Sequence, residues 1–162
     1  MAFWSESSSS PLRNYRFRVQ GLLDKQWLVK TVTLPSFEVN QNSYQILNHQ
    51  TKIAGILTWQ DVTITTVADK DTVSKLQGLM STNGHALDTP TNRSSKGIVS
   101  SFKGRMSNKI LIEMLDAQGS TATSYTLVDW FIAGIKFGDL DYSNDELFTI
   151  EVNIAYEYAD IK

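Results

Sequence analysis

The chain has 162 residues, 41% of them apolar and 20% charged, and a net charge of −2. That length fits one domain and that composition can bury a core, which excludes wholesale disorder. The lack of cysteine excludes a disulfide framework, a thiolate nucleophile and a cysteine-based zinc site. No apolar run approaches the ~20 residues that a membrane-crossing helix needs.

The charge is unevenly spread. Residues 139–162 hold seven acids (Asp139, Asp141, Asp145, Glu146, Glu151, Glu157 and Asp160) against one base, Lys162, while the preceding residues hold 14 Lys and Arg against 10 acids. This asymmetry fits either a solvated acidic edge or self-association of a basic body with an acidic tail. The first residues, Met1-Ala2-Phe3-Trp4-Ser5-Glu6 and four serines, have no basic or apolar signal region, so a cytoplasmic site of synthesis is expected.

Residues 1–12 read as a flexible arm whose serines and Pro11 cannot pack a core, with Phe3 and Trp4 as a possible aromatic anchor. The remainder, 13–162, reads as a single domain. In residues 13–20, Tyr15, Phe17 and Val19 alternate with Asn14, Arg16 and Arg18, the pattern of a strand with a cationic outer face. Residues 27–34 are rich in β-formers and stop at Pro35, and the two segments are expected to form a hairpin. Residues 40–55 hold too little apolar material for a core of their own and predict a projecting hairpin. Residues 58–67 predict a strand with Val62, Ile64 and Thr66 on one face and Asp61, Thr63 and Thr65 on the other.

The period then changes. Val73, Leu76 and Met80 fall at helical spacing, which predicts one short helix capped by Asp69 or Asp71. Residues 82–107 read as a long polar loop carrying Arg93, Lys96, Lys103 and Arg105; loops of that length are functional or disordered. Residues 108–117 predict a strand with two largely apolar faces. Residues 124–137 predict another, with Gly134 as a bulge. The last stretch is the longest. After a polar turn at 141–145, Ile150, Val152, Ile154, Tyr156 and Tyr158 alternate with Thr149, Glu151, Asn153, Ala155 and Glu157, which predicts one strand over 149–158 with a hydrophilic face. The sum is six to eight strands and one helix: a mainly β fold, an antiparallel sandwich or barrel.

Catalytic signals are weak. His49 and His85 have no second ligand at metal spacing, and no nucleophile elbow, phosphate loop or dinucleotide fingerprint is present. Glu151 and Glu157 on one strand would be about 20 Å apart, whereas glycosidase carboxyl pairs are about 5–9.5 Å apart. No enzyme, cofactor or metal is expected. The overall acidity and lack of RNA- or DNA-binding motifs argue against specific nucleic-acid recognition.

Three blocks together resemble the tail tube proteins of contractile-tailed bacteriophages, a group related to phage-like bacteriocin and type VI secretion tubes. The first is Leu140-Asp141-Tyr142-Ser143-Asn144-Asp145-Glu146-Leu147 running into Thr149-Ile150-Glu151-Val152-Asn153-Ile154-Ala155. The second is Thr58-Trp59-Gln60-Asp61-Val62-Thr63-Ile64-Thr65 followed by the short helix. The third is Leu34-Pro35 with a loop closing on Lys52-Ile53-Ala54-Gly55. The blocks span most of residues 27–158. The resemblance implies a β-barrel or sandwich with one flanking helix and an extended hairpin, assembling as hexameric rings that stack into a tube. Its implied partners are further copies of itself, a sheath outside, a baseplate and a tail terminator at the ends, and DNA that passes without specific binding. The implied location is the virion tail, assembled in the host cytoplasm.

A wall that conducts DNA should not neutralise phosphate, since that gives tight, salt-sensitive binding. Asp61, Thr63, Thr65, Thr149, Glu151, Asn153 and Glu157 are therefore the candidate lumen lining. Phe3, Trp4, Tyr44, Ile46, Lys52 and Ile53 are the candidate contacts to a neighbouring subunit or ring. Two rivals remain: the tube of a phage-tail-like injection particle, and a carbohydrate-binding module stacking sugars on Trp27, Trp59 and Trp130.

Overall fold

The computed structural model describes residues 11–82, 108–143 and 145–162. The aromatic arm residues Phe3 and Trp4 and the 82–107 loop beyond Thr82 lie outside them. Among the described residues the order is β1 (Phe17–Gln20), a 3-10 turn (Gln26–Leu28), β2 (Val29–Val32), β3 (Phe37–Ile46), β4 (His49–Trp59), β5 (Val62–Val67), α1 (Lys70–Thr82), β6 (Ile110–Leu115), β7 (Thr121–Val128), β8 (Phe131–Phe137), β9 (Thr149–Ala155) and β10 (Tyr158–Ile161). Two four-stranded antiparallel sheets, ordered β1-β6-β7-β10 and β2-β5-β9-β8, share one apolar core. The strands β3 and β4 pair only with each other. The mainly β, antiparallel architecture with one short helix and an extended hairpin is thus as expected.

The core follows from strand alternation. Val62, Ile64 and Thr66 of β5 and Ile150, Val152 and Ile154 of β9 all point inward and are fully buried. They meet Val19, Ile110, Ile112 and Leu127 of the first sheet. Buried Thr66 donates its hydroxyl to the Leu28 carbonyl at 3.2 Å, so its polar atom is satisfied. Trp130 is buried at the corner between β7 and β8, and its indole N–H reaches the Asn108 carbonyl at 2.7 Å. The helix begins where the Asp69 carboxylate accepts from the Lys70 amide, the expected capping residue, and it contributes Leu76 to the core. Lys25 holds that cap in turn, with its ammonium on Asp69 at 2.6 Å and on Asp71 at 3.1 Å.

Four expectations need correction. Residues 13–20 and 27–34 do not pair: β1 lies beside β6 and β2 beside β5, in different sheets. The link between them holds Leu22, Leu23 and Leu28, whose burial pulls the chain across the core. Gly21 makes the turn at φ +93°, against the Lys109 carbonyl, where an added Cβ would collide. Residues 58–67 are not one strand. β4 ends at Trp59, the Gln60 amide bonds the Ser36 carbonyl at 2.8 Å, and β5 starts afresh at Val62. Residues 124–137 likewise break at Asp129, at φ 51°, although the bulge at Gly134 is present as a register shift after Ile132.

The terminal strand is also two strands. β9 stops at Ala155; the Glu157 amide then bonds the Val128 carbonyl at 3.1 Å, and β10 pairs with β7 in the opposite sheet. Parity flips there: Ala159 is buried while Tyr158 is exposed. The outward side of β6 is also partly shielded. Its outward Glu113 is buried beneath Arg18, Gln20 and Thr121.

Candidate functional site

Two surfaces stand out. The first is the outward face of the β2-β5-β9-β8 sheet. Register pairs Thr63 with Asn153 and Thr65 with Glu151, and residues opposite each other in a ladder share a face. Thr63 donates its hydroxyl to the Asn153 side-chain oxygen at 2.9 Å. Thr149, two residues before Glu151, belongs to the same face. Five of the seven candidate lining residues are therefore assembled into one polar surface. Asp61 and Glu157 are exposed but lie off these strands, Asp61 before β5 and Glu157 in the corner before β10.

The sequence reading missed two members of this face: Thr31 of β2, paired with Thr65, and a cation. Lys136 of β8 is registered opposite Glu151, with its ammonium 3.8 Å from the carboxylate. The face was expected to hold no cation; it holds one, balanced by Glu151. Both groups are exposed, so the pair adds little stability. What it does is remove net charge from a surface of hydroxyls and amides. The missing signal was register: Lys136 sits in a stretch whose inward parity could not be read across the Gly134 bulge.

The second surface is the β3–β4 hairpin. Every described residue of β3 from Phe37 onward and of β4 up to Thr58 is exposed. Of the predicted contact residues, Tyr44, Lys52 and Ile53 fall on the distal half of the ladder, paired with Thr51, Ser43 and Asn42, and Ile46 ends β3 opposite His49. The hairpin is longer than 40–55, and it exposes further apolar residues: Phe37, Val39, Leu57 and, most of all, Ile56 at 77%. Ile56 and Leu57 went unassigned in the sequence because they follow the Lys52–Gly55 block and precede the strand expected at 58.

An isolated two-stranded ribbon is marginally stable in water, so its root needs support. Trp59 supplies it. Its ring meets Phe37 edge-on, centroids 5.3 Å apart, and Tyr156 at 5.9 Å. The Tyr156 hydroxyl donates to the Gln60 carbonyl at 2.8 Å. Burial, then the charge of Asp61, pushes the Tyr156 phenol up from its ordinary range, so it stays protonated and donating. This aromatic clamp ties the root of the hairpin to the end of β9, while the described residues from Phe37 and up to Thr58 stay exposed.

Trp27, Trp59 and Trp130 do not form a sugar platform: Trp130 is buried, Trp59 is packed into the clamp, and among the described tryptophans only Trp27 is openly exposed. Among the described residues no group of three or more His, Cys, Asp or Glu is placed to hold a metal ion. His85 lies outside the described residues.

No protein-family model matches the sequence, and a search among curated proteins finds no match. Solved structures do match. The chain is similar to a chain of the anti-feeding prophage cap, the terminating cap of its tube, with a TM-score of 0.68 at 14% identity over 100% of this chain and 99% of that one. It is similar to a chain of the extended sheath–tube complex of the PVC extracellular contractile injection system, with a TM-score of 0.68 at 12% identity, covering 98% of each. It is also similar to a chain of the PVC sheath/tube terminator, with a TM-score of 0.67 at 12% identity, covering 94% and 97%. At these identities the likeness is one of fold, and it runs end to end: the chain has the fold of components of contractile injection particles.

Proposed function

We propose that this protein is a structural subunit of the inner tube of a contractile tail or tail-like injection particle, and that it polymerises as stacked hexameric rings. The observation that carries the reading is the β3–β4 hairpin. It is an eleven-residue strand and its partner, with Phe37, Val39, Tyr44, Ile53, Ile56 and Leu57 exposed among polar residues, rooted through the contacts of Trp59 with Phe37 and Tyr156. A monomer has no use for such an element, and a neighbouring subunit would bury it.

The end-to-end likeness to sheath–tube, cap and terminator chains supports the same reading. In this arrangement the Thr63, Thr65, Thr149, Glu151 and Asn153 face lines the channel, with Asp61 and Glu157 both just beyond the end where β5 starts and β9 stops. Its hydroxyls and its balanced Lys136–Glu151 pair give passing DNA little to hold. A sheath would surround the tube, and a baseplate and terminator would close its ends.

A second reading has its own support. The likeness to the cap is as strong as the likeness to the sheath–tube chain, so the protein could form a single ring that ends a tube. Negative-stain microscopy of the purified protein tests both. Long hollow tubes are the expected result, isolated rings favour the terminating role, and a dispersed monomer at high concentration overturns the assembly reading altogether.

A further inference from the structure

The sheet order β2-β5-β9-β8, antiparallel throughout, leaves β2 and β8 as free edges that run in opposite directions. Rotation about a ring axis preserves each strand's direction along that axis. If the sheets join edge to edge, β8 of one copy therefore lies antiparallel to β2 of the next. The end of β8 at Phe137 then sits beside the start of β2 at Val29. The connection that follows, residues 138–148, emerges next to the Gln26–Leu28 turn of the neighbour.

What faces what at that junction is complementary. The connection carries Leu140, Tyr142 and Leu147, all openly exposed, together with Asp139, Asp141, Asp145 and Glu146 and no base. The Asp141 carboxylate accepts from the Ser143 amide at 2.9 Å and its hydroxyl at 2.8 Å, a local turn that holds Tyr142 outward. On the other side, an open groove of about 840 Å³ runs between β1 and β2, lined in part by Tyr15, Phe17, Trp27, Val29, Lys30 and Leu34. Trp27 is 79% exposed at its mouth. Arg13 and Arg16 flank it with Lys30, and Arg16 lies over the Tyr15 ring at 5.4 Å. Lys25 and Arg18, by contrast, are already engaged with Asp69 and Glu113.

We propose that the acidic, aromatic β8–β9 connection of one subunit docks into the basic, aromatic β1–β2 groove of the next copy of this chain, latching the ring. The proposal rests on the assembly reading above and deepens it by naming the contact. It also gives the charge asymmetry of the sequence a place: the acidic segment of each copy meets the basic segment of its neighbour, so charge matching sets which edges join.

Because the chain has no cysteine, an engineered pair reports without background. The Q26C/D139C double variant, treated with a short bis-maleimide during assembly, should give a covalent ladder of subunits. The Q77C/D139C variant, with its partner on an exposed α1 position, should not. The L140S/Y142S variant should unfold at the wild-type midpoint, since both side chains are exposed, yet need at least ten times the protein concentration to form rings. Absence of rings or tubes from the wild type would strike the assembly reading itself. Rings from wild type, with either no Q26C/D139C ladder or unchanged assembly of L140S/Y142S, would overturn the latch and leave that reading standing.

Discussion

Glu113 is the one buried carboxylate among the described residues, 7% exposed, and its partners explain why it is tolerated. Its Oε2 accepts from the Arg18 guanidinium at 2.7 Å and the Gln20 amide at 2.9 Å, and its Oε1 from the Thr121 hydroxyl at 3.0 Å. Burial pushes its pKa up, but the bonds from Arg18 and Thr121, the Arg18 charge and the Gln20 bond outweigh that and hold the carboxyl below the ordinary glutamate range. A depressed folded-state pKa contributes stability that is present above the unfolded value and lost as pH falls through the folded one. The wild type should therefore lose stability progressively below about pH 4.5, the ordinary value. Glu113→Gln keeps the shape and most partners but cannot titrate, so its urea midpoint should fall less steeply over that acid range; identical slopes would rule the account out. Glu113→Ala should cost about 1–3 kcal/mol at neutral pH, because three part-buried donors lose their acceptor. Nothing of this was legible in the sequence. Arg18 and Gln20 are more than ninety residues from Glu113 and reach it only through the β1–β6 register, while Thr121, eight residues on, comes from the paired strand β7.

At the scale of elements, short-range signals were legible and junctions were not. The inward parity of β5 and β9, the Asp69 cap, the Gly134 bulge and the projecting hairpin all follow from local pattern or local chemistry. The breaks at Gln60–Asp61, Asp129–Trp130 and Tyr156–Glu157 do not, because alternation continues across each while the chain changes sheets. What decides them is tertiary: Trp130 needs the Asn108 carbonyl, and Tyr156 needs Trp59 and Gln60. The candidate assembly surfaces were half legible for the same reason. Tyr44, Lys52 and Ile53 were readable as an excursion, whereas Ile56, Leu57 and Lys136 depend on pairing. The hairpin also allows a clean separation of folding from assembly. Deleting residues 41–54 removes its distal part and leaves Phe37, Trp59 and the whole sandwich core intact. The shortened chain should unfold cooperatively, within about 1 kcal/mol of wild type, and form no tubes by electron microscopy. Tubes of normal appearance would sink the hairpin's role as an intersubunit element.

For the molecule as a whole, the proposed ring would repeat one sheet face around a channel, and its charge decides what that wall does to DNA. On each subunit Glu151 and Lys136 cancel, and Thr31, Thr63, Thr65, Thr149 and Asn153 share that face. A surface of neutral donors and acceptors releases no counterions from passing DNA, so binding has no electrostatic drive. Thr63→Lys with Glu151→Lys reverses this. Lys136 loses its partner and two lysines are added, which leaves three positive charges per subunit. Both positions are partly or fully exposed strand sites away from the core, so tubes should still assemble. If the face lines the channel, these tubes should retain a short duplex at about 50 mM salt and release it near 200 mM, with a slope of log affinity on log salt of about −0.9 per phosphate contacted. Wild-type tubes should retain none at either salt. Blocking the tube ends should abolish uptake by the lysine tubes, because a lumenal surface is reached only through them. Equal uptake with ends open and blocked would place the face on the outside of the tube.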